Sequence, residues 1–123
     1  MAKTKRLDIS MKAQIARLDA VRRIVLKNPK RLAMGNWHYT PPGAKSMWYP
    51  ELSPRQALTC DTAHCIAGWM QANCADKKIR MLHAITVAIK LAPNILAGHR
   101  WCSMLSESNK RALAWLKNRE YAK

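Results

Sequence analysis

Four cysteines and four histidines are the residues of this chain whose chemistry invites a site. Cys60 and His64 stand four apart, which puts them on one face if a helix runs back to residue 60, and His99-x-x-Cys102 offers a second pair. Together they make a Cys2His2 set for tetrahedral zinc. Neither pair forms a short knuckle, however, and Cys65 would lie on a different face from Cys60. Reduced cysteines packed as small apolar side chains are the favoured reading. Covalent catalysis has less behind it. Cys65 or Cys102 would need a histidine base and a group to orient that base, and the seven carboxylates supply no evident orienter. Neither enzymatic activity nor a cofactor is expected.

The stretch that must position these residues is Cys60-Asp61-Thr62-Ala63-His64-Cys65-Ile66-Ala67-Gly68-Trp69, a packing hub between a Pro-rich loop and a strongly apolar segment. Asp61 or Thr62 can accept backbone N–H groups as a helix N-cap, and the hub helix should run to about Cys74. Gly68 inside it costs about 1 kcal/mol against alanine, so a second backbone is expected to pass close by.

Around the hub the spacing predicts an all-α fold. It is read as a compact single-domain bundle of about five helices, covering residues 1–123, with one long Pro-rich loop. Residues 1–9 form a basic arm. Residues 10–28 form an amphipathic basic helix, with Met11, Ile15, Leu18, Val21 and Val25 inward and Lys12, Arg23 and Lys27 outward, ended by Asn28-Pro29. Leu32, Met34 and Trp37 form an apolar triplet that caps the core. The prolines and glycine of residues 39–54 forbid regular structure, and Trp48 and Tyr49 in this loop are either binding contacts or core filling, the second reading being favoured. Ser53-Pro54-Arg55-Gln56 has the layout of a capping box and opens a helical core spanning 54–121. Asp76 caps the next helix, and Ile79 to Leu91 carry apolar residues around nearly the whole circumference, which predicts a central helix covered on most sides. A last helix is expected from about Glu107 to Glu120, capped by Ser106.

The hub spacing C-x-T-x-x-C-x-A-G, preceded by Arg31, Leu32, Met34 and Trp37 as R-L-x-M-x-x-W, resembles a group of small uncharacterised proteins from bacteria and their phages. In that group an aromatic often replaces Leu32, and glycine commonly stands at the place of Asp61. The likeness covers about residues 31–101 and leaves out both basic ends. It implies a mostly helical fold and a bacterial or phage setting, with no assigned reaction.

Charge is the strongest functional signal. Twenty-two Lys and Arg against seven Asp and Glu give a formal charge of +15. Self-repulsion on that scale destabilises the compact state unless an acidic or polyanionic partner relieves it. Residues 1–31 hold ten basic and two acidic side chains. No signal peptide or membrane span is recognisable, so a cytoplasmic location is expected.

The expected activity is electrostatic association with nucleic acid or a nucleoprotein. It would run through Lys3, Lys5, Arg6, Lys12, Arg23, Lys27, Lys30 and Arg31, then Lys110, Arg111, Lys117 and Arg119, with Trp48 or Tyr49 able to stack on a base. No helix-turn-helix signature suggests sequence-specific reading. The alternative is a phage-type inhibitor or modulator that binds a host protein through the basic face and the aromatic loop. A helix lying on a membrane surface is disfavoured, because the first helix lacks Trp and Phe and a bundle core needs its apolar face.

Overall fold

Ser10 starts the first helix: its hydroxyl accepts the Ala13 N–H at 3.2 Å, and α1 runs Met11–Lys27 until Asn28 turns extended ahead of Pro29. In this structure, a computed structural model describing residues 7–97 and 104–123, Leu18, Val21 and Val25 are fully buried as the spacing predicts. Met11 is not: it is exposed. Gln14 takes the inward place one turn later, donating Nε2–H to the Ile9 carbonyl and accepting the Asn94 N–H.

Beyond α1 the chain forms β1 (His38–Tyr39), α2 (Pro54–Thr59), β2 (Ala63–His64), α3 (Ile66–Ala72), α4 (Lys77–Arg80), α5 (Ala84–Leu91), α6 (Pro93–Leu96) and α7 (Asn109–Lys117). The fold is mostly helical but not strictly all-α. Among the described residues there are seven α-helices rather than five, and one small antiparallel sheet pairs His38 with His64 and Tyr39 with Ala63. Leu32 bridges His64 from the other side, with the Ala33 N–H bonded to the His64 carbonyl at 3.0 Å.

That sheet corrects the hub. Cys60 is the C-cap of α2, residues 63–64 are strand, and the hub helix begins only at Ile66. Its cap is Cys65, whose Sγ accepts the Gly68 N–H at 3.3 Å. Asp61 and Thr62 have other employment. Asp61 accepts the Lys45 N–H at 2.7 Å, and the Thr62 hydroxyl accepts the Trp48 N–H at 2.7 Å, so both hold the Pro-rich loop and are unavailable to a helix. Gly68 behaves as expected: any Cβ there would overlap the Trp37 carbonyl oxygen. Every residue of α3 is buried, and the helix packs on both α5 and α1.

The expected central helix is also interrupted. Met81 closes α4, and the His83 ring caps α5 by accepting the Ile85 N–H at 3.2 Å. The break is held from within, because buried Gln71 donates to the carbonyls of Arg80 and Leu82 at 2.9 and 2.6 Å. α5 is covered on one side only. Ala84, Val87, Ala88 and Leu91 are buried, whereas Met81, Leu82, Ile85 and Ile89 face solvent.

The capping box at Ser53 and the Asp76 cap form as the residues predict. The last helix is shorter than expected and takes Ser108, not Ser106, as its cap. It packs on α1, where Arg22 donates to the Leu116 and Lys117 carbonyls at 3.0 and 3.2 Å. Among the described residues, no helix is long and apolar enough to cross a membrane.

Candidate nucleic-acid interface and the histidine–tryptophan cluster

At about 100° per residue, Lys12, Ala16, Arg23 and Lys27 of α1 fall within a sector of about 60°, directly opposite Leu18, Val21 and Val25. All four are exposed, and so is Lys30 in the turn that follows. No hydrogen bond or ion pair engages the side chains of Lys12, Arg23, Lys27 or Lys30 among the described residues. Arg23 and Lys27 open onto a groove of about 590 Å³ that also takes in Ile24, Asn28, Arg31 and Leu58.

The remaining expected contacts divide in two. Lys110 and Lys117 are exposed on α7, beside α1. Three arginines are committed to partners within the protein. Arg31 is half-buried, donating to the carbonyls of Leu58, Ala57 and Thr62 at 3.2 to 3.3 Å while its guanidinium lies 5.0 Å over the Trp69 ring. Arg111 pairs with Glu120 at 2.8 Å, and Arg119 with Asp19 at 2.9 Å. These two are surface pairs of small energetic weight, but their charge is locally answered. Lys3, Lys5, Arg6, His99 and Cys102 lie outside the described residues.

The carboxylates explain why the α1 stripe stays unanswered. Five of the seven acidic side chains serve local structure: Asp8 on the Ser10 N–H, Asp19 on Arg119 and Tyr121, Asp61 on the loop, Asp76 at the start of α4 and Glu120 on Arg111. Burial raises the Asp19 carboxyl, but hydrogen bonds from Arg119 and Tyr121 outweigh it and hold the group below its ordinary range.

Cys60 and His64, the described half of the zinc set, do not share a helix face. Cys60 Sγ donates to the Ala57 carbonyl at the end of α2, while His64 sits in β2 with its ring on His38. Among the described residues, no three potential ligands cluster. Cys65 is equally unsuited to attack, since burial pushes its thiol pKa up and the sulfur is occupied as a helix cap.

What the sheet brings together instead is a buried histidine pair. His38 Nδ1 lies 2.7 Å from His64 Nδ1, and His38 Nε2 lies 2.8 Å from Gln71 Oε1. Because the Gln71 amide nitrogen is committed to two carbonyls, Oε1 must accept. His38 therefore carries its proton on Nε2, and His64 donates from Nδ1. That leaves His64 Nε2 an acceptor in a fully buried ring, with no donor. Burial first, then His38 and Arg31, lowers the His64 pKa to about 3. Trp48 stacks on His38 at 4.2 Å between ring centroids and is itself buried, so it is core filling, while Tyr49 beside it stays half exposed.

Trp37 is the exposed aromatic that spacing assigned to the core. It stands edge-on to His83 at 5.4 Å. Neither this contact nor the His38–His64 pair is readable from local periodicity. Gly68 signalled that a second backbone passes close to α3, and the structure shows it to be the Trp37 segment.

No protein-family model matches the chain, and neither a curated protein nor a solved structure does.

Proposed function

We propose that the protein is a small basic accessory protein that associates electrostatically with nucleic acid or a nucleoprotein, without catalysing a reaction. The observation that carries this reading is the α1 stripe of Lys12, Arg23 and Lys27 extended by Lys30. These are exposed cations with no partner among the described residues, in a molecule whose carboxylates are mostly engaged elsewhere. Phosphates spaced along a backbone suit such a row, and each contact releases condensed counterions. Arg31, Arg111 and Arg119 contribute potential more than contacts. The resemblance to small bacterial and phage proteins gives a bacterial cytoplasm as the setting of this proposal.

Charge reversal tests it. With Arg23→Glu and Lys27→Glu together, binding of a generic duplex should weaken at least tenfold, and the slope of log affinity against log salt should flatten by about 2. Both residues are exposed and unbonded, so the melting temperature should hold within about 2 °C. An unaltered salt slope in a folded double variant would overturn the reading.

A second reading has its own observation. Met81, Leu82, Ile85 and Ile89 form an exposed apolar run on α4–α5, bordered by Lys77, Lys78 and Lys90. Such a surface suits an acidic protein partner of the host, which the protein would inhibit or modulate. Capture of one stoichiometric protein that survives nuclease and moderate salt, and is lost in Ile85→Asp, would favour it over the first.

A further inference from the structure

Between β1, the Pro-rich loop and the start of α5 lies a cleft of about 300 Å³, lined among others by Trp37, His38, Tyr49, Gln71 and His83. Two features separate it from ordinary core packing. Its rim presents aromatic surface to solvent, Trp37 being 38% and Tyr49 50% exposed. Its floor is locked, with His38 held by both His64 and Gln71, and Trp48 stacked beneath.

The polar edge of the cleft has a definite sense. His83 Nδ1 accepts the Ile85 N–H, so the neutral ring carries its proton on Nε2 and has a donor left to offer. No carboxylate lines the cleft. A methylammonium ligand, which seeks aromatic faces together with negative charge, is therefore poorly served, the more so at a net charge of +15. A flat heteroaromatic ring bearing acceptors, attached to a negatively charged backbone, fits the aromatic faces, the donor and the surrounding potential together.

We infer that this cleft takes one unpaired base of single-stranded nucleic acid, stacked against Trp37 and Tyr49 with an acceptor toward His83 Nε2. The inference rests on the polyanion reading of α1 and adds a strand preference to it. Phosphate contacts alone serve duplex and single strand alike, whereas a base held in a duplex cannot enter the cleft. Single strands are therefore bound more tightly than duplexes of equal length.

The full chain is titrated with a thymidine oligonucleotide and with a duplex of the same length, following tryptophan fluorescence and affinity. Single-strand binding should quench the emission. Trp37→Ala with Tyr49→Ala should lower single-strand affinity about tenfold, within the range of one lost stacking contact, and leave both the duplex affinity and the salt slope unchanged. Tyr49→Ala alone, in a half-exposed loop position, covers the case in which the double variant fails to fold, and Trp37→Phe should restore most of the loss. Equal affinity of the wild type for both forms, or an unaltered single-strand affinity in the folded variants, would overturn the base cleft and leave the α1 reading standing. Absence of salt-dependent binding to either nucleic acid would overturn both. Quenching by an acidic aromatic peptide but not by the oligonucleotide would assign the cleft to a protein side chain instead.

Discussion

Gly68→Ala should lower the stability of the protein by about 2 kcal/mol, although alanine is the better helix former. Helix propensity favours the substitution by about 1 kcal/mol. Against this, the new Cβ would overlap the Trp37 carbonyl oxygen and press on His64 Cβ at 3.0 Å. The nearer obstacle is backbone and cannot swing away, so the cost belongs at the upper end of overpacking, about 3 kcal/mol. The sign of the net effect is the test, read from the urea midpoint. Gly35→Ala is the control, because no atom beyond its own chain neighbours lies within 4 Å of its Cβ position. A midpoint that rises in Gly68→Ala would mean that α3 and the Trp37 segment are not in contact.

Acidification should destabilise the protein well above the range where carboxylates titrate. The His64 pKa falls from 6.5 unfolded to about 3 folded. A basic group with a depressed folded pKa contributes stability that is fully present above its unfolded value and lost progressively as pH falls toward the folded one. Between pH 7.5 and 5 the loss from His64 amounts to about 2 kcal/mol. His38 shifts in the same direction, through burial, only partly offset by its bond to Gln71. The lowered carboxyl of Asp19 contributes stability that is lost only below its ordinary 3.8, so the two windows separate. Urea unfolding at pH 7.5 and pH 5 should show the drop, and His64→Phe should shrink it. An unchanged midpoint between the two pH values would contradict the buried neutral pair.

Features set by neighbouring residues were legible in the sequence: the Ser10 to Lys27 helix, the Ser53 capping box, the Asp76 cap and the reason for Gly68. The α1 stripe belongs with them, since 3.6-residue spacing is local information. Features set by distant partners were not. His38 and His64 lie 26 residues apart and share a two-residue pairing too short to show alternation. The apolar run from Ile79 to Leu91 read as one covered helix because hydrophobicity cannot reveal that Gln71 takes the Arg80 and Leu82 carbonyls and divides it. Arg31 shows the same limit in the candidate interface. As a cation in a basic stretch it reads as a phosphate contact, yet three carbonyls and the Trp69 face claim its guanidinium.

The Pro-rich segment, finally, is anchored unevenly. The Thr62 hydroxyl holds both the Thr40 hydroxyl and the Trp48 N–H, Asp61 holds the Lys45 N–H, and Arg80 Nε donates to the Pro50 carbonyl at 2.8 Å. Gly43 falls in the gap between the Thr40 and Lys45 ties, at φ 79° and with open space where a side chain would go. A dye, an affinity tag or a surface linkage introduced beside Gly43 would leave the histidine pair and the cations of the first helix intact, whereas the same graft next to Pro50 would dislodge both tryptophan and guanidinium from the interior.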